Sequence, residues 1–154
     1  MAKFSACRQY RYALWRTWDK TKPIVLFIGL NPSTADAKNN DPTITRCINF
    51  AAFWGYGGVR VANLFAYRAT QPTDMKKAFD PIGHDNDGWI TKLTQEADLV
   101  VAAWGNEGCF LSRSATVREL ITKKLHCLNV NKSGEPSHPL YQRADTMPIP
   151  YDHY

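Results

Sequence analysis

Ile24-Val25-Leu26-Phe27-Ile28-Gly29-Leu30 runs straight into Asn31-Pro32-Ser33-Thr34-Ala35-Asp36. The apolar run is rich in β-branched residues and has no polar alternation, which is the pattern of a strand covered on both faces within a parallel sheet. The switch to Asn, Pro, Ser and Thr sets a polar loop at its carboxyl end. Val59–Phe65 and Leu99–Trp104 repeat the buried-strand pattern, and Cys127–Val130 is a weaker fourth copy. Helical stretches lie between them. Thr43–Trp54 brings Ile44, Cys47, Ile48, Ala51 and Ala52 onto one stripe, with Asp41 as N-cap and Pro42 at the first helical position. Asp87–Ala97 aligns Ile90, Leu93 and Ala97 behind Asp85-Asn86-Asp87, and Ser114–Lys124 aligns Val117, Leu120 and Ile121. Strand and helix alternate, so the expected class is α/β, a three-layer sandwich with a central, mostly parallel four-stranded sheet.

Outward from this core, Arg8–Asp19 alternates in character, with Tyr10, Tyr12 and Leu14 on one face and Arg11, Ala13 and Trp15 on the other. That is the pattern of an N-terminal edge strand or hairpin. Residues 145–154, with Pro148 and Pro150, read as an irregular tail. With 154 residues, 44% of them hydrophobic, and no linker or repeat, the chain is expected to form a single α/β domain over 1–154. Residues 1–22 hold Lys3, Arg8, Arg11, Arg16, Lys20 and Lys22 against Asp19 alone, so this segment accounts for the whole net charge of +5. No apolar run is long enough to span a bilayer, and charged residues interrupt the N-terminus where a signal peptide would be apolar. A cytoplasmic protein without membrane contact is expected. Cys7, Cys47, Cys109 and Cys127 form no Cys-x-x-Cys pair. Three of them, Cys47, Cys109 and Cys127, sit in apolar stretches, so buried free thiols rather than a metal site or disulfide framework are expected.

In open α/β sheets ligands bind beyond the carboxyl ends of the strands. After the first strand, Asn31 would hold a water or a substrate carbonyl, with Pro32, Ser33 and Thr34 beside it. The helix start near Asp41 would offer free backbone N–H groups to an anion. Asp36 and Asp41 are the candidate general bases. After the second strand come Asn63, Tyr67 and Arg68, after the third Trp104, Gly105 and Asn106, and after the fourth Lys132, His138 and Tyr141. Blander readings stand beside these. Asn31-Pro32-Ser33 also reads as a turn, Asp41 as a helix cap, His138 as a surface histidine, and His84 as a cap of the second helix. Phosphate-loop, dinucleotide-binding and nucleophile-elbow patterns are all missing, and no cofactor is expected.

Several ordered blocks resemble the bacterial and phage family called domain of unknown function 1643. They are Arg11-Tyr12, Leu30-Asn31-Pro32-Ser33-Thr34-Ala35, Asp41-Pro42-Thr43, Gly55-Tyr56-Gly57-Gly58, Asn63-Leu64-Phe65-Ala66-Tyr67-Arg68, Ala103-Trp104-Gly105 and His138-Pro139-Leu140-Tyr141. That resemblance implies a fold and a set of positions but no reaction. Ile28-Gly29-Leu30-Asn31-Pro32 is also similar to the first motif of the mismatch-type uracil and thymine DNA glycosylases. His138-Pro139 stands where the uracil-DNA glycosylase superfamily carries its second motif, and Ala103-Trp104-Gly105 resembles a Trp-Gly common between the two. The likeness implies a uracil-DNA glycosylase-like fold in which Asn31 orients the attacking water, Asn63 reads the base edge and His138 stabilises the departing base. Leu140 departs from the second motif's Ser, Thr34 breaks the Gly-rich sequel of the first, and no wedge for base flipping is identifiable.

Three classes of function remain open on sequence. One is a hydrolase or transferase acting on a base in DNA or on a free nucleotide. Another is a phage or bacterial binding protein that sequesters a nucleotide or modified base. The last is a protein-interaction module built on the N-terminal strand. Under the first two, nucleic acid or free nucleotide is the expected partner, and Arg8, Arg11 and Arg16, interleaved with Tyr10, Tyr12, Trp15 and Trp18, are candidates for tracking phosphates. An amphipathic strand packing its aromatics inward has the same composition.

Overall fold

A computed structural model describes residues 1–152 as an α/β protein built on a mixed sheet of seven strands. In chain order these are β1 (Ala2–Phe4), β2 (Arg11–Thr17), β3 (Ile24–Gly29), β4 (Gly58–Asn63), β5 (Leu99–Ala102), β6 (Leu125–Cys127) and β7 (Ile149–Pro150). Among the described residues there are four α-helices, α1 (Pro42–Phe53), α2 (Pro72–Lys76), α3 (Asn86–Glu96) and α4 (Arg113–Leu120). Short 3₁₀ segments occupy Asn106–Ser112 and Pro139–Tyr141. Strand order is β1-β2-β4-β3-β5-β6-β7.

The four strands read from their apolar runs are parallel neighbours, β4 with β3, β3 with β5 and β5 with β6. The expected four-stranded sheet is therefore corrected to a wider mixed one, because β2 pairs antiparallel with β4, β1 with β2, and β7 with β6. The N-terminal segment is a hairpin-like pair in which β1, not β2, forms the sheet edge. The expected irregular tail also needs correction. Ile149 and Pro150 pair with Cys127 and His126, and Tyr151 is buried behind them. Proline is tolerated there because β7 is an edge strand with one side free. Residues 153 and 154 of that tail lie outside the described residues.

Strand pleating sorts the core into two layers. Val25 and Phe27 of β3, Val59 and Val61 of β4 and Val101 of β5 pack with Ile44, Cys47, Phe50 and Ala51 of α1. Leu26, Ile28, Ala62 and Val100 point the other way, onto Ile90 and Leu93 of α3 and Val117 of α4. The sheet is thus covered on both faces, as uninterrupted apolar strands require. Helix α1 starts where expected, with Pro42 in its first turn and the Asp41 side chain accepting from the Ile44 N–H at 2.9 Å. Asp85 makes no such cap bond at α3, and His84 is exposed beside Asp85 rather than capping the helix. The four cysteines are free, with Cys47 and Cys127 buried as expected and Cys109 exposed, contrary to expectation. It sits on the 3₁₀ segment, which breaks the apolar run at Phe110 and Leu111. No helix among the described residues is long and apolar enough to cross a membrane.

Candidate functional site

Beyond the carboxyl ends of β3, β4 and β5 opens a cavity of about 540 Å³. Its wall begins where β3 ends. Gly29 has no side chain because an added Cβ would lie 2.8 Å from Nδ2 of Asn63, at the end of β4. Asn63 is buried, and its Oδ1 accepts a hydrogen bond from the Arg11 guanidinium at 3.3 Å. An arginine can only donate, so this contact fixes the amide orientation and turns Nδ2 into a donor facing the cavity. Arg11, 2% exposed, gives its other terminal nitrogen to the Ala35 carbonyl at 3.1 Å and leaves its Nε buried without a partner. Burial lowers its pKa to about 10, with Asp41 partly opposing the fall, so the group stays cationic at neutral pH.

The loop after β3 is held from both sides. Arg11 takes the carbonyl of Ala35, and Asp41 Oδ2 accepts the Ala35 N–H at 3.3 Å. Asn31 donates from Nδ2 to the carbonyls of Ala69, at 2.9 Å, and Pro32, at 3.2 Å. Two carbonyl acceptors settle which end of that amide is nitrogen, and its Oδ1 is left as an acceptor at the cavity. The start of α1, the expected anion site, has few N–H groups left to offer. Pro42 has no N–H, and Asp41 both occupies the Ile44 N–H and brings its own negative charge.

The 3₁₀ turn Pro139–Tyr141 carries the opposite wall. Nδ1 of His138 accepts the Leu140 N–H at 3.2 Å, which requires an unprotonated Nδ1 and so places the neutral ring's hydrogen on Nε2. Burial lowers the His138 pKa and favours that neutral form, with Asp41 pulling weakly the other way. Loop 131–137, which delivers His138, is ordered by Asn106, whose Oδ1 accepts from Asn131 at 2.9 Å and Ser133 at 2.6 Å. Trp104 is fully buried at the end of β5, its indole N–H directed at Glu135 at 3.4 Å. Gly108 makes room for that ring, since a Cβ there would fall 2.1 Å from Trp104 Cδ1. At the rim, Glu107 pairs with Lys76, and Leu140 and Tyr141 are exposed.

Of the residues singled out from sequence, Asn31, Pro32, Ser33, Thr34, Asp41, Asn63, Trp104, Gly105, Asn106, His138 and Tyr141 all line this cavity. Asp36, Tyr67, Arg68 and Lys132 do not. Asp36 is half-buried and accepts the N–H groups of Asn39 and Lys38, which, with the Asn39 side chain, hold its pKa at about 2, so it is the anchor of a tight turn. Tyr67 packs edge-on against Tyr10, and Lys132 is exposed. Among the N-terminal arginines, Arg11 lines the cavity from below and Arg16 donates to the carbonyls of Asp36, Asn39, Met1 and Trp15. Only Arg8 of the three faces solvent. Sequence reasoning did not single out Thr43, Thr70 or Glu107, which also line the cavity. Each had a signal in position alone, Thr43 just after the Asp41-Pro42 helix start and Thr70 and Glu107 in the loops after the second and third strands. No cluster of three or more His, Cys, Asp or Glu side chains suited to a metal ion occurs among the described residues.

Fold and site together define the class as an α/β protein with a ligand-sized, mixed-polarity cavity at the carboxyl end of its parallel strands. The family model described as "Protein of unknown function (DUF1643)" matches residues 11–140, and the chain belongs to that family. No curated protein and no solved structure gave a significant match.

Proposed function

We propose that the cavity takes a nucleobase, on a nucleotide or in a nucleic acid, and that the protein acts on it as a uracil-DNA glycosylase-like hydrolase or transferase. The observation that carries this reading is the meeting of Asn31, Asn63 and His138, from three separate strand-end loops, around one cavity with Trp104 on its wall. Asn31 supplies an acceptor, Asn63 a donor fixed by Arg11, and His138 a neutral Nε2–H donor. In hydrolysis the bond between the base nitrogen and the sugar C1′ breaks and the base leaves with the electron pair. Water adds to C1′ as hydroxyl, and its second proton ends on the base. Asn31 Oδ1 suits the orienting of that water, and His138 Nε2–H suits the developing negative charge on the base, where a preorganised donor acts most strongly.

A second reading, binding without turnover, draws on the state of Asp41. Both its oxygens already hold backbone N–H groups, so the carboxylate nearest the helix start is tied to structure rather than free to take a proton. The test is incubation with duplexes and single strands carrying uracil, mismatched thymine or modified pyrimidines, followed by detection of abasic sites. Product that is lost in Asn31→Ala is the expected result. No product from any substrate, together with thermal stabilisation by a nucleobase or nucleotide, would establish sequestration instead. Neither product nor stabilisation would refute both readings.

A further inference from the structure

Two arginines outside the cavity share one aromatic ring. The guanidinium carbon of Arg8 lies 4.2 Å from the centroid of Phe4, and that of Arg68 lies 4.7 Å from the same centroid. Arg68 also donates to the Arg8 carbonyl at 3.2 Å, while its Nε is buried without a partner. Among the described residues neither forms an ion pair with a carboxylate. Asp36, whose carboxylate feels the charge of Arg68, has its oxygens engaged by Lys38 and Asn39. Like charges gathered on one ring repel, so an arrangement with no carboxylate in ion-pair contact favours the approach of an anion.

The backbone ties this pair to the cavity. Arg8 sits at a positive φ of 61° in the turn joining β1 to β2. That turn is zipped to the loop after β4 by the Tyr10–Tyr67 bridge and by the Arg68 N–H on the Gln9 carbonyl at 2.9 Å. The next residue, Ala69, lines the cavity and holds Asn31 with its carbonyl. Arg68 and the Asn31 anchor are therefore chain neighbours on one braced segment.

We infer that Arg8 and Arg68, set on Phe4, grip the phosphodiester backbone of a nucleic-acid strand beside the cavity. This rests on the nucleobase reading of the cavity and deepens it, because it makes the substrate a polynucleotide rather than a free nucleotide. Guanidinium groups match phosphate oxygens in paired hydrogen bonds, and stacking fixes their planes in advance. The assignment also moves the phosphate grip away from Arg11 and Arg16, whose terminal nitrogens already donate to oxygens of the protein itself.

The experiment is fluorescence anisotropy of a labelled single-stranded DNA without uracil or modified bases, titrated with the full chain at several salt concentrations. Unlabelled DNA, unlabelled RNA and polyglutamate serve as competitors. Wild-type binding that weakens with salt is expected. Arg8→Gln and Arg68→Gln should each flatten the plot of log affinity against log salt by about 0.7 for each phosphate that is no longer neutralised, while Arg8→Lys keeps most of the slope. Circular dichroism melting of Arg8→Gln, a change at an exposed turn, should match wild type and exclude misfolding as the cause. Displacement by DNA or RNA but not by polyglutamate supports the inference, and the better competitor identifies the preferred sugar. Absence of wild-type binding, unchanged slopes in both Gln variants, or equal displacement by polyglutamate overturns it. The last result would point to an acidic protein surface. As the oligonucleotide carries no target base, these outcomes are separate from base release. Unchanged slopes with base release intact overturn this inference alone, whereas altered slopes without base release overturn only the reading of the cavity as a hydrolase.

Discussion

Replacing Asp41 separates helix capping from proton transfer, two tasks that a lone aspartate before a helix leaves joined. Its Oδ1 accepts the Ile44 N–H at 2.9 Å, its Oδ2 accepts the Ala35 N–H at 3.3 Å, and Ala35 is fully buried. Asp41→Ala removes the cap, a loss of about 1 kcal/mol, and leaves the Ala35 N–H unpaired at a further cost of roughly 1–3 kcal/mol. At about 2–4 °C per kcal/mol for a chain of this size, the melting temperature should fall by roughly 5–15 °C. Asp41→Ser keeps an acceptor for Ile44 but is too short to hold Ala35, so roughly half to three-quarters of that loss is expected. Thermal unfolding by circular dichroism measures the three proteins, and the abasic-site assay is run on the same samples below their transitions. If the carboxylate is structural, Asp41→Ser keeps measurable activity while being less stable. A fall of less than about 2 °C in Asp41→Ala, or a Ser variant that melts like wild type and has no activity, would refute the reasoning and make Asp41 the base.

Arg11→Met should cost roughly 2–4 kcal/mol in urea unfolding, because the Ala35 carbonyl and Asn63 Oδ1 both lose a charged donor. Arg11→Lys should recover less than half of it, since one ammonium does not span both acceptors; full recovery would show that charge, not the fork, is what matters. For His138 the sign follows from burial. The folded pKa lies below the ordinary 6.5, so its contribution to stability is present above that value and is lost as pH falls toward the folded pKa, while the unfolded chain takes up the proton first. His138→Asn retains an acceptor for the Leu140 N–H but does not titrate. Its stability measured by urea between neutral pH and about pH 5 should fall less steeply than wild type, the remaining slope coming partly from His126, whose pKa burial also lowers.

The parallel centre of the sheet was legible because burial on both faces writes itself into consecutive residues. Each of β3, β4 and β5 needs apolar side chains pointing up and down, so Val25 and Phe27 face α1 while Leu26 and Ile28 face α3 and α4. Strands β1 and β7 carry no such record. They are three and two residues long, lie at the edges, and exist because β2 and β6 have ladders to complete. The cavity was legible only through position. Asn31, Asn63 and His138 are far apart in sequence, and the rule that ligands gather at strand ends is what joined them. It failed for Asp36 and Lys132 because a loop's residues scatter in direction. Asp36 turned back onto its own backbone, an alternative that short Asp side chains readily take.

The charge of the first 22 residues is the harder lesson. Counted along the chain it is a basic segment, but in space it divides. Arg11 is buried under Asn63, Arg16 clamps the loop at Asp36 and Asn39, and Lys22 pairs with Asp19. Arg8 remains at the surface and is joined there by Arg68, which belongs to the electrically balanced remainder of the chain. A strand's alternation does not show whether an inward arginine will find carbonyls, because those come from loops remote in sequence. Deleting residues 1–22 would remove an internal strand and the guanidinium that orders the cavity, leaving the β4 edge exposed. Loss of nucleic-acid binding after that deletion would follow from a damaged fold whether or not the segment touches phosphate. Only single changes at the surface pair can separate the two.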